Sequence, residues 1–222
     1  MVLAALLLPV GCSVLDYSAD FAENELFYAD VPFRTKAPGD RPVFVTPIVD
    51  ARVDTVLPVH EGGFPIAYGN DNFWERPVPE MFAEVLDRQL ADSGLFPAVS
   101  EYATKDTLIL KPTLVSFTTA TMEQISGSRS VAEVGVRIEV LGPAGENGER
   151  PLWHDQVYGN RQLSERKVRP VSPYRLIGRA LQLTMTNILG GLDGSNVARS
   201  HVPVEIVMPS GESKPAEASV GR

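Results

Sequence analysis

The sequence is poor in the residues that build metal and redox sites, because its 222 residues include one cysteine and three histidines. A single cysteine excludes an intramolecular disulfide. The histidines, His60, His154 and His201, lie far apart in the chain, and none has a second ligand at the spacing of a helical or hairpin metal site. The sequence therefore predicts no metal and no bound cofactor.

An excess of positive charge is also lacking. The formal net charge is −8, whereas general nucleic-acid binders need clustered Lys and Arg to contact phosphates. Apolar residues make up 44% and charged residues 22% of the chain, which excludes collagen-like, coiled-coil and wholly disordered proteins. A chain of this length buries roughly 70% of the surface that it exposes when unfolded. We expect a folded domain that does not bind nucleic acid.

Catalytic motifs are missing too. The chain has no G-x-S-x-G nucleophile motif. The glycine-rich run from Gly142 to Gly148 is followed by Glu149 and Arg150 instead of the Lys-Ser or Lys-Thr of a phosphate-binding loop. No pair of carboxylates for acid–base work can be identified, since most acidic residues fall where solvation is the default. The sequence favours a protein that is not an enzyme.

Long apolar runs are absent except for a short one at the amino terminus. Residues 1–10 read MVLAALLLPV and precede Gly11, Cys12 and Ser13. A membrane-spanning helix needs about 20 apolar residues, but a secretory signal needs about 7–15 before a cleavage site of small residues. The run therefore predicts an export signal. The alternative is a buried amino-terminal strand or helix with an incidental free cysteine.

This segment resembles a bacterial lipoprotein signal peptide, in which Gly11 precedes the cleavage site and Cys12 becomes the lipidated first residue of the mature chain. The resemblance implies a signal peptide over residues 1–11 and several acyl chains, palmitate among them, on Cys12. More than one chain, at about 0.8 kcal/mol per buried CH₂, anchors a protein stably to a membrane. In enterobacteria-like sorting an Asp after the cysteine retains a lipoprotein at the inner membrane. Ser13 therefore implies the periplasmic face of the outer membrane, with the inner membrane as the alternative.

Composition divides the rest of the chain into three parts. Residues 13–40 hold six acidic and two basic residues and no sustained period of 2 or 3.6. They predict an acidic tether that starts at Cys12, part of which lies against the domain. From Pro209 to the end the composition is that of a disordered tail. The folded domain is predicted over residues 41–208.

The domain alternates strand and helix patterns. Apolar spacings of i, i+3, i+4 and i+7 predict helices over Pro77–Ser93 and Ser172–Leu192, with Ser172 as N-cap. Short β-branched or alternating runs predict strands over 42–49, 107–119, 131–141, 152–162 and 201–208. Strict alternation in the third run indicates a sheet with one covered face. The order predicts an α+β fold, a two-layer domain with two helices on one face of a mostly antiparallel sheet of about 4–5 strands.

In this element order, with LADSGLFPAV closing the first helix, residues 41–192 resemble small periplasmic lipoprotein domains of the TolB-amino-terminal, curli-secretion and transport-auxiliary types. These families assemble or transport envelope components, and none of their known roles is catalytic. The resemblance implies a non-enzymatic accessory or scaffold subunit that docks a larger envelope protein. The alternative belongs to another class, a periplasmic enzyme or small-ligand-binding domain that recognises an anionic substrate.

Positive charge is concentrated between Arg161 and Arg179, where six basic residues accompany one acidic residue. This cluster is a candidate contact for an anion, such as lipid head groups, lipopolysaccharide phosphates or an acidic partner. The candidate residues are Arg161, Arg166, Lys167, Arg169 and Arg175. The alternative is that they pair with the acidic first helix and tether.

A second candidate surface is an aromatic loop within residues 60–76. Its members Phe64, Tyr68, Phe73 and Trp74 are candidate partner contacts, because aromatic side chains anchor many protein interfaces. They can equally plug the open end of a two-layer domain.

Overall fold

The computed structural model describes residues 20–52, 64–68, 74, 76–124, 127–164 and 172–199. These residues form seven strands and two helices. In chain order the elements are β1 (Val43–Val45), β2 (Val49–Asp50), β3 (Phe64–Tyr68), α1 (Val78–Ser93), β4 (Val99–Ser100), β5 (Leu108–Gln124), β6 (Gly127–Leu141), β7 (Leu152–Leu163) and α2 (Pro173–Gly194). The predicted strand 201–208, the tail after Pro209 and the signal segment 1–11 lie outside the described residues.

The strands form one mixed sheet in the order β4-β1-β5-β6-β7, and β2 and β3 pair with further parts of β5. The long ladders, β3–β5, β5–β6 and β6–β7, are antiparallel, whereas β1 and β2 pair with β5 in parallel. The predicted α+β class is confirmed. The strand number is higher than predicted, in part because the predicted strand 42–49 divides at Pro47, which has no N–H to donate to a ladder.

One face of the sheet is covered by the helices, as the alternation in β6 predicts. Val134, Val136, Ile138 and Val140 are fully buried, while Arg137 on the opposite face is exposed. Side chains of both helices belong to the same core cluster as these residues. The covered face therefore holds the core.

A bulge in β5 sets which of its residues reach the core. Leu114 pairs with Val136 and Phe117 with Val134, so the register skips one residue between them. A bulge reverses the alternation of the side chains that follow it. Gly135 lies opposite the bulge, where a Cβ atom would be 2.6 Å from the Ser116 hydroxyl oxygen. The bulge thereby turns Phe117 toward the helices, where it is 3% exposed.

The two helices begin and end close to their predicted positions. Gly94 ends α1 in a left-handed conformation with φ +68°, directly after the predicted end at Ser93. Ser172 lies at the predicted N-cap of α2 but makes no side-chain capping hydrogen bond. α2 continues through Gly194, two residues past the predicted end at Leu192. No helix in the described ranges has the length and apolarity needed to cross a bilayer.

Residues 20–40, which belong to the predicted tether, pack against the helices. Phe21 and Tyr28 are 1% and 3% exposed. The backbone N–H groups of Thr35 and Gly39 donate to the carbonyl oxygens of Ser93 and Leu95, each at 2.9 Å. We call residues 20–40 the amino-terminal segment.

Candidate functional site

Arg76 ties the start of the amino-terminal segment to α1. Its Nε atom donates to the Asp20 carboxylate at 2.6 Å, and its Nη2 atom donates to Glu84 at 2.8 Å. Asp20 is 2% exposed and also accepts the backbone N–H of Ala22 at 2.8 Å. Burial opposes the ionisation of Asp20, but Arg76 and the backbone N–H groups outweigh it and hold the pKa below its usual value. The chain is thus held in place from Asp20 onward.

A second set of contacts binds the same segment one helical turn further along α1. The Arg88 guanidinium makes two bonds to the Asp30 carboxylate, at 2.8 and 3.0 Å. The side-chain oxygen of the buried Gln89 accepts the backbone N–H of Val31 at 2.8 Å and the Tyr28 hydroxyl at 3.4 Å. Acidic residues of the segment therefore pair with arginines of α1 and of the turn before it, and these pairs were not predicted.

Aromatic rings join the segment, the loop before α1, β5 and α2. Trp74 lies edge-on to Phe21 and Tyr174, with ring centroids 5.2 and 5.1 Å away, and 6.0 Å from Phe117. Phe27 lies 5.1 Å from Tyr174. We call these five rings the aromatic cluster. Because its members come from four separate parts of the chain, no local pattern in the sequence indicates it.

The structure places one of the predicted partner contacts, Trp74, within this cluster, where it is half-buried. These contacts are of the kind that the plugging alternative describes. Phe64 and Tyr68 belong to β3, whose backbone pairs with β5; their side chains, and Phe73 altogether, lie outside the described residues.

The predicted basic contacts are not brought together by the described residues. Arg161 is exposed on β7, and Arg175 is exposed in the first turn of α2 with Arg179 one turn later. Arg166, Lys167 and Arg169 lie outside the described residues. Within the described ranges, no ion pair involves Arg161 or Arg175, and three acids of α1 and the amino-terminal segment, Asp20, Asp30 and Glu84, pair with Arg76 or Arg88.

The start of α2 adjoins the point where the chain enters the domain. Tyr174 contacts Phe27 of the amino-terminal segment, and a Cβ atom at Gly178 would lie 1.6 Å from the Phe27 carbonyl oxygen. Arg175 follows Tyr174 directly, and Arg179 follows Gly178. The exposed arginines of α2 are therefore close to the segment that leads back to Cys12.

His154 is the one histidine that the structure describes, and it bonds to Tyr158 on the helix-covered face of β7. Its Nε2 atom lies 2.8 Å from the Tyr158 hydroxyl. Asp155 points to the other face and accepts two bonds from Arg137, at 2.7 and 2.6 Å. Among the described residues, no group of three His, Cys, Asp or Glu side chains could hold a metal ion.

No protein-family model matches the sequence, and no curated protein matches it. Solved structures do match. A Xanthomonas campestris protein of the DUF330 family model is 14% identical with a TM-score of 0.50, over 76% of this chain and 94% of that one. A hypothetical protein from Chlamydia trachomatis is 12% identical with a TM-score of 0.48, over 73% of this chain and 99% of that one. A lipoprotein from Neisseria meningitidis is 13% identical with a TM-score of 0.28, over 68% and 99%. The first likeness shows a shared fold.

Proposed function

We propose that this protein is a lipid-anchored, non-enzymatic lipoprotein of the bacterial envelope, held at the periplasmic face of the outer membrane by acyl chains on Cys12. It acts there as an accessory or scaffold subunit of an envelope assembly or transport system. The observation that carries the proposal is the apolar run of residues 1–10 followed by Gly11, Cys12 and Ser13. The non-enzymatic role rests on the lack of nucleophile and phosphate-loop motifs in the sequence.

The packing of the amino-terminal segment supports a domain held close to the membrane. Cys12 precedes Asp20 by eight positions, and an extended chain spans at most about 3.5 Å per residue. The anchor therefore lies within roughly 28 Å of Asp20. Since Asp20 is fixed by Arg76, that distance is the largest separation the chain permits between the anchor and the folded domain.

The arginines of α2 suit a contact with the anionic surface of such a membrane. Arg175 and Arg179 lie one helical turn apart, so they share a face of the helix. Each basic residue near an anionic membrane contributes about 1 kcal/mol to binding. We propose these two residues, with the remaining basic residues of 161–179, as the contact for lipid head groups or lipopolysaccharide phosphates.

The anchor is tested by comparing Cys12→Ala with the matched variant Ser13→Ala. We expect the unchanged protein and Ser13→Ala to fractionate with outer membranes and to carry acyl mass on Cys12. Cys12→Ala should lose both properties. A soluble unchanged protein without acyl mass would refute the anchor.

The accessory role is tested by purification from detergent-solubilised membranes. A stable complex with another envelope protein, obtained with the unchanged protein and reduced in Cys12→Ala, is the expected result. Recovery of the unchanged protein alone from membranes would contradict the accessory role while leaving the anchor intact.

A further inference from the structure

β7 forms one edge of the sheet, and it is long for an edge strand. The opposite edge, β4, has two residues, whereas β7 has twelve. No strand among the described residues pairs with the outer side of β7. Proteins commonly protect such edges by shortness, by Pro, by bulges or by charged side chains, especially Lys. β7 contains no Pro or Lys, it has only two charged residues, Asp155 and Arg161, and its register with β6 shifts only near its start, between Leu152 and His154. Its backbone is therefore a template for another strand.

Exposed apolar side chains accompany this edge. Leu152, Val157 and Leu163 are 55%, 60% and 50% exposed. Val157 and Leu163 lie on the face of the sheet that the helices do not cover, since they alternate with the buried Tyr158. Partner strands that add to a sheet edge obtain affinity from the backbone and specificity from such side chains.

We propose that β7 pairs with β7 of a second copy of this chain, antiparallel and centred on Tyr158, so that one sheet runs through a dimer. A two-fold axis through this position makes each residue face a residue at the same distance on the other side of Tyr158. Asp155 then faces Arg161 of the second copy. This pair occurs twice because of the symmetry.

Charge complementarity selects this centre. Asp155 and Arg161 both lie on the uncovered face and are both exposed. Opposite charges directly across two strands are favourable, and like charges are unfavourable. Asp155 already accepts two bonds from Arg137 of its own chain, so Arg161, which makes no ion pair among the described residues, decides the centre. Moving the centre by one residue to Val157 or Gly159 leaves Arg161 without an acidic partner, as it then faces Trp153 or Val157. A centre at Asn160 pairs Val157 with Leu163 but places Arg161 opposite Gly159, again without an acidic partner.

A two-fold axis normal to the sheet leaves the helices of both copies on the same side. Asp20 lies on that side in each copy, because its neighbour Phe21 stacks on Phe117 at 5.5 Å. Both Cys12 anchors of the proposed function could then enter one membrane, although the strand pairing itself does not depend on lipid.

The dimer is tested by sedimentation of the full chain carrying Cys12→Ser, so that failure of the anchor does not affect the result. We expect a species of twice the 24.1 kDa chain mass. Arg161→Glu should weaken the dimer by at least about tenfold, because it creates two pairs of facing acids, one on each side of the axis. Adding Asp155→Arg together with Arg137→Glu to that variant should restore the dimer, because the charges are then exchanged both across the axis and within the chain. Arg175→Glu, which makes the same charge change on α2, should leave it unchanged.

Cross-linking determines the register independently of these charges. In the Cys12→Ser background, a mixture of Val157→Cys and Gly159→Cys chains should form a disulfide-linked heterodimer on oxidation. Each variant alone should form little. Efficient linkage of Val157→Cys to itself would overturn the register. A protein that stays monomeric throughout, or a dimer that Arg161→Glu leaves intact, would overturn the proposal.

Discussion

The Nε2 atom of His154 lies 2.8 Å from the Tyr158 hydroxyl, and the two rings stack with centroids 6.0 Å apart. Burial lowers the pKa of His154 below its usual value of 6.5, against a smaller opposing effect of the neighbouring Asp155. The fold therefore favours the neutral form of this imidazole over the charged form. The Tyr158 hydroxyl in turn fills the space beside Gly191 of α2, so the pair connects the edge strand to the helix.

We predict that His154 makes the protein less stable in mild acid. Its contribution is fully present above the unfolded pKa of about 6.5, and it is lost as the pH falls from there toward the lowered pKa of the fold. His154→Gln keeps a hydrogen-bonding group and removes the titration. Urea unfolding between about pH 5 and pH 8 should show a steeper loss of stability in the unchanged protein than in His154→Gln. Parallel curves would contradict the assignment.

Alanine substitutions at two adjacent glycines of α2 should change the free energy of unfolding in opposite directions. A Cβ atom at Gly191 would lie 2.2 Å from the Tyr158 hydroxyl oxygen, whereas a Cβ at Gly190 would meet nothing within 4 Å. Gly191→Ala should therefore cost about 1–3 kcal/mol of unfolding free energy. Gly190→Ala should gain up to about 1 kcal/mol, because alanine favours a helix. Denaturant unfolding measures both, and equal effects would mean that Tyr158 does not pack against Gly191.

The pair between Asp20 and Arg76 should contribute more to stability than the pair between Asp30 and Arg88. Both carboxylates belong to the amino-terminal segment, but Asp20 is 2% exposed and Asp30 is 40% exposed. Asp20→Asn should cost about 1–3 kcal/mol because it weakens a buried, charge-assisted bond. The matched variant Asp30→Asn should cost less than about 1 kcal/mol, as exposed pairs do.

Denaturant unfolding of these two variants gives the comparison. Since the pKa of Asp20 is lowered in the fold, its contribution is present above its usual pKa of 3.8 and is lost as the pH falls through the lowered value. The difference between Asp20→Asn and the unchanged protein should therefore shrink in acid. If the stability difference persists in acid, the effect of Asp20→Asn comes from the change in shape and not from the loss of the charge.

The parts of the fold that sequence predicts are those where one face of an element is buried. β6 alternates because Val134 and Val136 face the helices, and α1 has a helical period because Met81, Val85 and their neighbours face the sheet. A buried face constrains which residues can occupy it, and the constraint is visible as a period. The α+β class follows from these two patterns together.

Elements that are held by backbone pairing alone show no hydrophobic period in the sequence. The second half of β5 extends to Gln124, past the predicted end at Thr119, because it pairs with both β3 and β6. The bulge after Leu114 also breaks the period that would have indicated Phe117. These features depend on neighbours distant in the chain, so a single strand's sequence does not reveal them.

The candidate site shows the same division. The prediction for Cys12 comes from contiguous residues, and the basic residues of 161–179 stand out by composition. The pairs of Asp20 with Arg76 and of Asp30 with Arg88 join residues more than fifty positions apart. Acidic residues without a period resemble a solvated tether, and only the packing of Phe21 and Tyr28 places them on α1.

Charge reversal on α2 should separate membrane contact from the anchor itself. Arg175→Glu with Arg179→Glu, in the Cys12→Ser background, should weaken binding to phosphatidylglycerol vesicles by at least about tenfold, because each basic residue contributes about 1 kcal/mol. The control is Lys105→Glu with Lys111→Glu, which makes the same charge change at exposed positions elsewhere. Cosedimentation with vesicles measures binding, and added salt should reduce it, since the attraction extends only about one Debye length. An equal loss of vesicle binding in both double variants would indicate that binding depends on net charge. It would contradict a specific membrane contact at the start of α2.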